Sequence, residues 1–156
     1  HWWEPIASSI SYSPDGAYLL TAGMDQDTQE GTVILWDADS GDEVRTFLGH
    51  TGPAYTAAFS PDGSFIASGA GGDVRIWETG TATEIALMDI GPSIVHKVAM
   101  HPDGSRVASA SDTFGLVQVW ALDIDDLIQI ARDRLTRTFT AAECEIYGIE
   151  NCPLEE

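Results

Sequence analysis

One pattern of residues occurs three times in this chain, and that repetition constrains the fold more than any bulk property. The middle copy, residues 56–78 (TAAFSPDGSFIASGAGGDVRIWE), reads as an apolar strand at 57–59, a Ser-Pro-Asp-Gly turn, a second strand at 65–68, a Gly-rich connection and a third strand ending in Trp77. SISYSPDGAYLLTAG from Ser9 and VAMHPDGSRVASAS from Val98 follow the same order towards Trp36 and Trp120. The turn aspartates Asp15, Asp62 and Asp103 are 47 and 41 residues apart, and the tryptophans 41 and 43. A period in the low forties built from short strands predicts a stacked repeat, in which each unit buries its apolar faces against its neighbours.

The turns explain why each unit doubles back. Pro14, Pro61 and Pro102 pre-set φ at the first corner. Asp15, Asp62 and Asp103 can accept hydrogen bonds from the backbone just downstream. Gly16, Gly63 and Gly104 are suited to the positive φ that ends a type I turn with a bulge. Residues 6–12 alternate as a half-buried strand should. Residues 17–21 and 32–36 follow, separated by the polar insertion GMDQDTQE, and the turn cluster DADSGD leads to an outer strand at 43–48. The second unit repeats this, with its outer strand at 83–88. The third starts near Ile94, carries His101 where the others have serine, and ends at residues 116–120.

The expected organisation is therefore all-β: four-stranded antiparallel blades of a β-propeller at about 6–48, 54–88 and 94–121, together residues 1–122. The third blade is expected to lack its outer strand. Residues 123–156 form a second compositional zone. Ile124, Leu127, Ile128, Ala131 and Leu135 recur at helical spacing, and Thr140-Ala-Ala-Glu143 reads as a capping box. A helical tail packing on the last blade is the expectation.

Gly49-His50 lies twelve residues before Asp62, and Leu35-Trp36-Asp37 closes the first unit. With the repeats, these residues resemble the WD40 family. The tail, LTRTFTAAECEIYG, is similar to that of bacterial WD40 signalling proteins. The resemblance implies a structural tetrad of His, Asp, Ser or Thr, and Trp linked by hydrogen bonds. His50, Ser68 and Trp77 match in the second unit, while the aspartate is expected near Gly71-Gly72, with only Asp73 close. The first unit keeps Thr21 and Trp36, and the third Ser109 and Trp120, with Asp112 as a candidate partner. The tetrad is expected to be incomplete in every blade, and these residues to be structural. The resemblance also implies that further blades, from upstream chain or from another copy, complete the ring. The first residue, His1, is consistent with a fragment.

Seven Lys and Arg against 25 Asp and Glu give a formal charge of −18, which opposes nucleic acid and anionic membrane. No apolar run is long enough to span a bilayer, and no signal peptide is evident. Cys144 and Cys152 are too few for a disulfide framework or a zinc site. The acidic loop at 24–31 fails the calcium-loop pattern, because the sixth and twelfth positions from Asp25 hold Glu30 and Trp36. The four histidines are scattered, no nucleophile elbow occurs, and the Gly-rich stretch at 69–72 lacks the lysine of a phosphate loop. No cofactor or metal is expected. Arg132, Arg134 and Arg137 concentrate positive charge within six positions and are a candidate docking patch.

The expected function is a non-catalytic protein–protein interaction scaffold or sensor, the C-terminal part of a larger signalling protein in the cytoplasm. Two alternatives are an enzyme whose site lines the channel at His96 and Lys97, and a self-assembling unit forming a composite ring.

Overall fold

In the computed structural model, the structure describes residues 6–112 and 117–122. The chain divides into two compact units, His1–Leu122 and Asp123–Glu156, and every described residue belongs to the first. The expected helical tail, with Arg132, Arg134, Arg137, Cys144 and Cys152, lies outside the described residues, as does the expected loss of an outer strand after Leu122.

The described part is all-β. The strands are β1 (Ile6–Tyr12), β2 (Tyr18–Met24), β3 (Gly31–Asp37), β4 (Glu43–Phe47), β5 (Ala54–Phe59), β6 (Phe65–Glu78), β7 (Glu84–Met100), β8 (Arg106–Ser111) and β9 (Val117–Ala121). All pairings are antiparallel, in the orders β1-β2-β3-β4 and β5-β6-β7-β8-β9. The second sheet contains two units, because β6 and β7 each serve twice.

Straight, the 14 residues of β6 would reach about 46 Å at 3.3 Å per residue. Yet the Thr79 N–H, just past its end, donates to the carbonyl of Ser64, just before its start, at 2.9 Å. The run is thus a hairpin that turns at Gly71-Gly72, where Gly72 takes φ +103°. Its first half pairs with β5 (Phe59↔Ile66) and its second half with β7 (Ile76↔Ala86). The β7 strand in turn supplies the outer strand of the second unit through residues 84–89 and the inner strand of the third through residues 95–100. The gap expected between residues 88 and 94 is therefore spanned by β7, which bends at Gly91, with φ +74°.

Each unit closes with the same backbone bond, Ala38 N–H to Ala17, Thr79 to Ser64 and Leu122 to Ser105. The turns carry out the predicted chemistry. Gly16, Gly63 and Gly104 have φ of +77°, +73° and +78°, a conformation that L side chains rarely adopt. Ser13 and Ser60 Oγ donate to Asp15 and Asp62 Oδ1 at 2.6 Å and accept the amides of Tyr18 and Phe65 at 2.9 Å.

The core lies between the units, as the repeat reading requires. Leu20, Ala22, Val33, Leu35 and Phe47 of the first unit meet Ala54, Ala57, Ile66, Ala70 and Trp77 of the second. Ala67, Val74 and Ile76 on the second unit's other face meet Val95, Val98 and Val107 of the third. Fully burying a large apolar side chain is worth roughly 1.5–3 kcal/mol, so these two seams hold the stack together. A side-chain bond also crosses the second seam, where the Val98 amide donates to Thr56 Oγ1 at 3.3 Å.

Candidate functional site

The second unit buries a continuous polar chain. His50 sits on the connection between β4 and β5; Ser68, Asp73 and Trp77 all come from the β6 hairpin. Trp77 Nε1 donates to Ser68 Oγ at 2.8 Å, Ser68 Oγ lies 2.6 Å from His50 Nε2, and His50 Nδ1 lies 2.6 Å from Asp73 Oδ1. An indole N–H only donates and a carboxylate only accepts, so Ser68 Oγ accepts from Trp77 and His50 Nδ1 donates to Asp73, while the bond between Ser68 Oγ and His50 Nε2 runs in either direction according to which atom carries the hydrogen. Each of these polar groups then has a partner, as buried polar groups require.

Asp73 continues the chain outward. Its Oδ2 accepts from Arg75 Nε at 2.9 Å, and Arg75 Nη1 pairs with Glu84 on β7. The Arg75 guanidinium also lies 5.9 Å from the Trp77 ring centroid, a cation–π distance. Burial is the largest single effect on the Asp73 carboxyl and pushes it up. The interactions with His50 and then Arg75 outweigh burial, and the group sits below the usual carboxylate value.

The tetrad of the second unit is therefore complete, contrary to expectation. Asp73 occupies the acidic position, four residues before Trp77 and one past Gly72 of the hairpin turn. The sequence expectation fell on Gly71-Gly72, with Asp73 the nearest acid; those glycines form the turn itself, and the aspartate stands on the returning strand. Arg75 and Glu84 had no sequence signal beyond their charges.

The Ser68–His50–Asp73 spacing matches that of a hydrolytic triad, yet access and capacity argue against that chemistry. Ser68 is fully buried, and the Trp77 N–H occupies the side of its oxygen that a substrate would need. Among the described residues, the other units show only the inner end of the chain. Trp36 Nε1 donates to Thr21 Oγ1 at 2.9 Å, and Trp120 Nε1 to Ser109 Oγ at 3.3 Å. Asp112 instead accepts the Ile94 amide at 2.9 Å and the Ser93 hydroxyl at 3.2 Å, anchoring the entry to the inner strand of the third unit.

The turn carboxylates form a second ensemble. Hydrogen bonds from Ser60 and Ser64 hold the Asp62 carboxyl down at about 2. The Ser13 hydroxyl and the Ala17 amide lower Asp15. Ser105 and then His101 lower Asp103. His101 cannot reproduce the serine bond to the exiting strand, and its Nδ1 lies 2.7 Å from Asp103 Oδ1 instead. In the 24–31 loop, Asp25 Oδ1 already accepts the amides of Asp27 and Thr28 at 2.9 Å, an arrangement that holds the loop by itself. His96 and Lys97 are exposed on β7, with the His96 ring tilted against Tyr55 at 6.2 Å. No group of three metal-ligating side chains occurs among the described residues.

The WD domain, G-beta repeat family matches residues 3–37 and 41–78. The chain is 28% identical over 151 residues to eukaryotic translation initiation factor 3 subunit I of Aspergillus oryzae, covering 93% of this chain and 43% of that protein. The same subunit of Aspergillus fumigatus is 30% identical over 110 residues, or 70% of this chain and 31% of that protein. The periodic tryptophan protein 2 homolog of Schizosaccharomyces pombe is 36% identical over 105 residues, covering 67% of this chain and 12% of that protein. The chain thus spans less than half the length of each of these relatives.

Proposed function

This chain belongs to the WD40-repeat family, and on that premise we propose that it is a non-catalytic scaffold that holds other proteins in a multi-subunit assembly. One observation carries the reading. The one triad-like constellation among the described residues, Ser68–His50–Asp73, is sealed and has its hydrogen bonds already committed, so the chemistry-bearing side chains serve the framework. The relatives named as subunit I of an initiation factor are components of a larger complex by their names, which supports an assembly role. The expected signalling setting and bacterial origin draw no support from these relatives. The cytoplasm remains part of the proposal, on the low cysteine count alone.

The enzymatic alternative has a direct test in an activity-based fluorophosphonate probe. The scaffold reading expects no labelling of Ser68 in the folded protein; stoichiometric labelling lost in Ser68→Ala would overturn it. The assembly role is tested by cross-linking in source cells followed by affinity purification. Co-purification of defined partners in fixed stoichiometry is expected, and recovery of the chain alone would count against it.

A further inference from the structure

Ile85 and Leu87 are 53% and 51% exposed, although the face that carries them looks onto a described unit. Ala86, Met88 and Ile90, the alternate residues of β7, pack into the seam with the third unit. Ile85 and Leu87 therefore point the other way, towards the first unit. The register agrees. Leu87 is paired with Arg75 of β6, and a Cβ at Gly49, on the connection after β4, would fall 2.5 Å from Arg75 Nη1. From the first unit, Arg45 and Phe47 of β4 face back. Arg45 Nη1 donates to the Thr79 carbonyl at 2.9 Å, and the buried Phe47 ring meets Trp77 edge-on at 6.0 Å. A groove thus runs between β4 and residues 84–89, floored by Phe47 and Trp77. Both its walls are present, so the exposure of Ile85 and Leu87 is a property of this seam.

The charge in the groove is unbalanced at one place. Asp73 is held by His50 and Arg75, Glu84 by Arg75, and Glu78 takes the Thr81 hydroxyl. Asp89 lies at the far end of the wall, opposite Asp73. Arg45 has no carboxylate partner among the described residues, in a chain with 25 acidic side chains. The Thr79 carbonyl engages one of its N–H groups and leaves the rest of the guanidinium fork without a described acceptor. The Thr79 hydroxyl is likewise buried with no hydrogen-bond partner among the described residues. Neither β4 nor residues 84–89 has a second strand partner among the described residues, so backbone donors and acceptors line both rims.

We infer that this groove takes an extended segment of a partner protein, with an Asp or Glu seated on Arg45 and neighbouring apolar side chains on Ile85 and Leu87. A guanidinium fork matches a carboxylate bidentately. Paired exposed apolar residues mark an interaction surface, and an extended segment running beside strand edges sets alternate side chains into such a groove. The formal charge of −18 opposes an acidic ligand at long range, but physiological salt screens that repulsion beyond about 8 Å, so the local contact with Arg45 decides. The inference rests on the scaffold reading and gives the partner a chemistry.

The test is selection from a phage-displayed library of random peptides, about twelve residues long, on the full 156-residue chain, then fluorescence polarisation with the selected peptides. Peptides carrying an acid within a few residues of two apolar side chains are expected; a basic or wholly apolar consensus overturns the inference. Leu87→Ser changes an exposed position, keeps the fold by circular dichroism, and is expected to weaken binding at least about tenfold. Arg45→Glu is expected to do the same and to prefer peptides with Lys in place of the acid. Peptides that bind wild type and Leu87→Ser equally overturn the groove. In a folded Arg45→Glu chain, no gain for the Lys peptides overturns the role of Arg45. In source cells, partners cross-linked equally to wild type and Leu87→Ser overturn the groove and leave the scaffold reading standing, whereas recovery of the wild-type chain alone removes both.

Discussion

His50 Nδ1 and Asp73 Oδ1 stand 2.6 Å apart, and through this contact the connection before β5 is fastened to the β6 hairpin. The His50 side chain is fully buried and the Asp73 side chain 15% exposed. Removing either partner leaves a polar group facing the protein without its mate. His50→Ala is expected to destabilise the fold by roughly 3 kcal/mol, and Asp73→Ala by about 2–3 kcal/mol because part of that carboxylate remains hydrated. Urea unfolding followed by tryptophan fluorescence measures both. Losses below about 0.5 kcal/mol would show that the contact is dispensable.

The three indole–hydroxyl pairs differ in what stands behind them, which gives an ordering. Ser68→Ala strands both the Trp77 N–H and His50 Nε2 in a dry interior, for about 2–3 kcal/mol. Thr21→Ala and Ser109→Ala each free a single N–H on a half-buried tryptophan that water can reach, for about 1 kcal/mol. Equal losses at the three positions would contradict the ordering.

These residues also show what the sequence could reveal. Strand positions, turns and the inward tryptophans were legible because alternation and Pro-Asp-Gly chemistry act within a few residues. The acid of the tetrad was not, because Asp73 reaches His50 across a hairpin whose turn had to be placed first. Gly71-Gly72 looked like a decayed motif, yet these residues are the turn that aims Asp73 at His50. The run of β7 through the boundary between the second and third units was likewise hidden, since Gly91-Pro92 reads as a break, whereas the strand turns there at Gly91, with φ +74°, and continues.

The turn carboxylates set a pH response. Asp15, Asp37, Asp62 and Asp103 are all lowered below their ordinary value by hydrogen bonds from their own turns. A depressed pKa means the folded state binds the proton less readily than the unfolded chain. The stabilisation is therefore present above about pH 4 and disappears as pH falls towards the folded value, about 2 for Asp62. Thermal melts between pH 5 and 2 should show Tm falling steadily with acid, and Asp62→Asn should flatten that slope. A slope unchanged in the variant would remove Asp62 from the account.

A crowded glycine at the second seam supplies a packing prediction. A Cβ at Gly69 would lie 2.5 Å from Val95 Cγ1, 2.9 Å from Val95 Cβ and 3.0 Å from Thr56 Cγ2. Gly69→Ala should cost about 1–3 kcal/mol as the seam is forced apart, and Val95→Ala in the same chain should recover part of it. The double-mutant cycle measures that coupling, and strict additivity would refute it.

The seams have a kinetic consequence. Only the second of the three described units is covered on both faces, and it also holds the full polar relay. In a linear array each unit is stabilised mainly by its neighbours. Among the described residues the slowest amide exchange should therefore fall in the second unit, around Ala67, Val74 and Ile76.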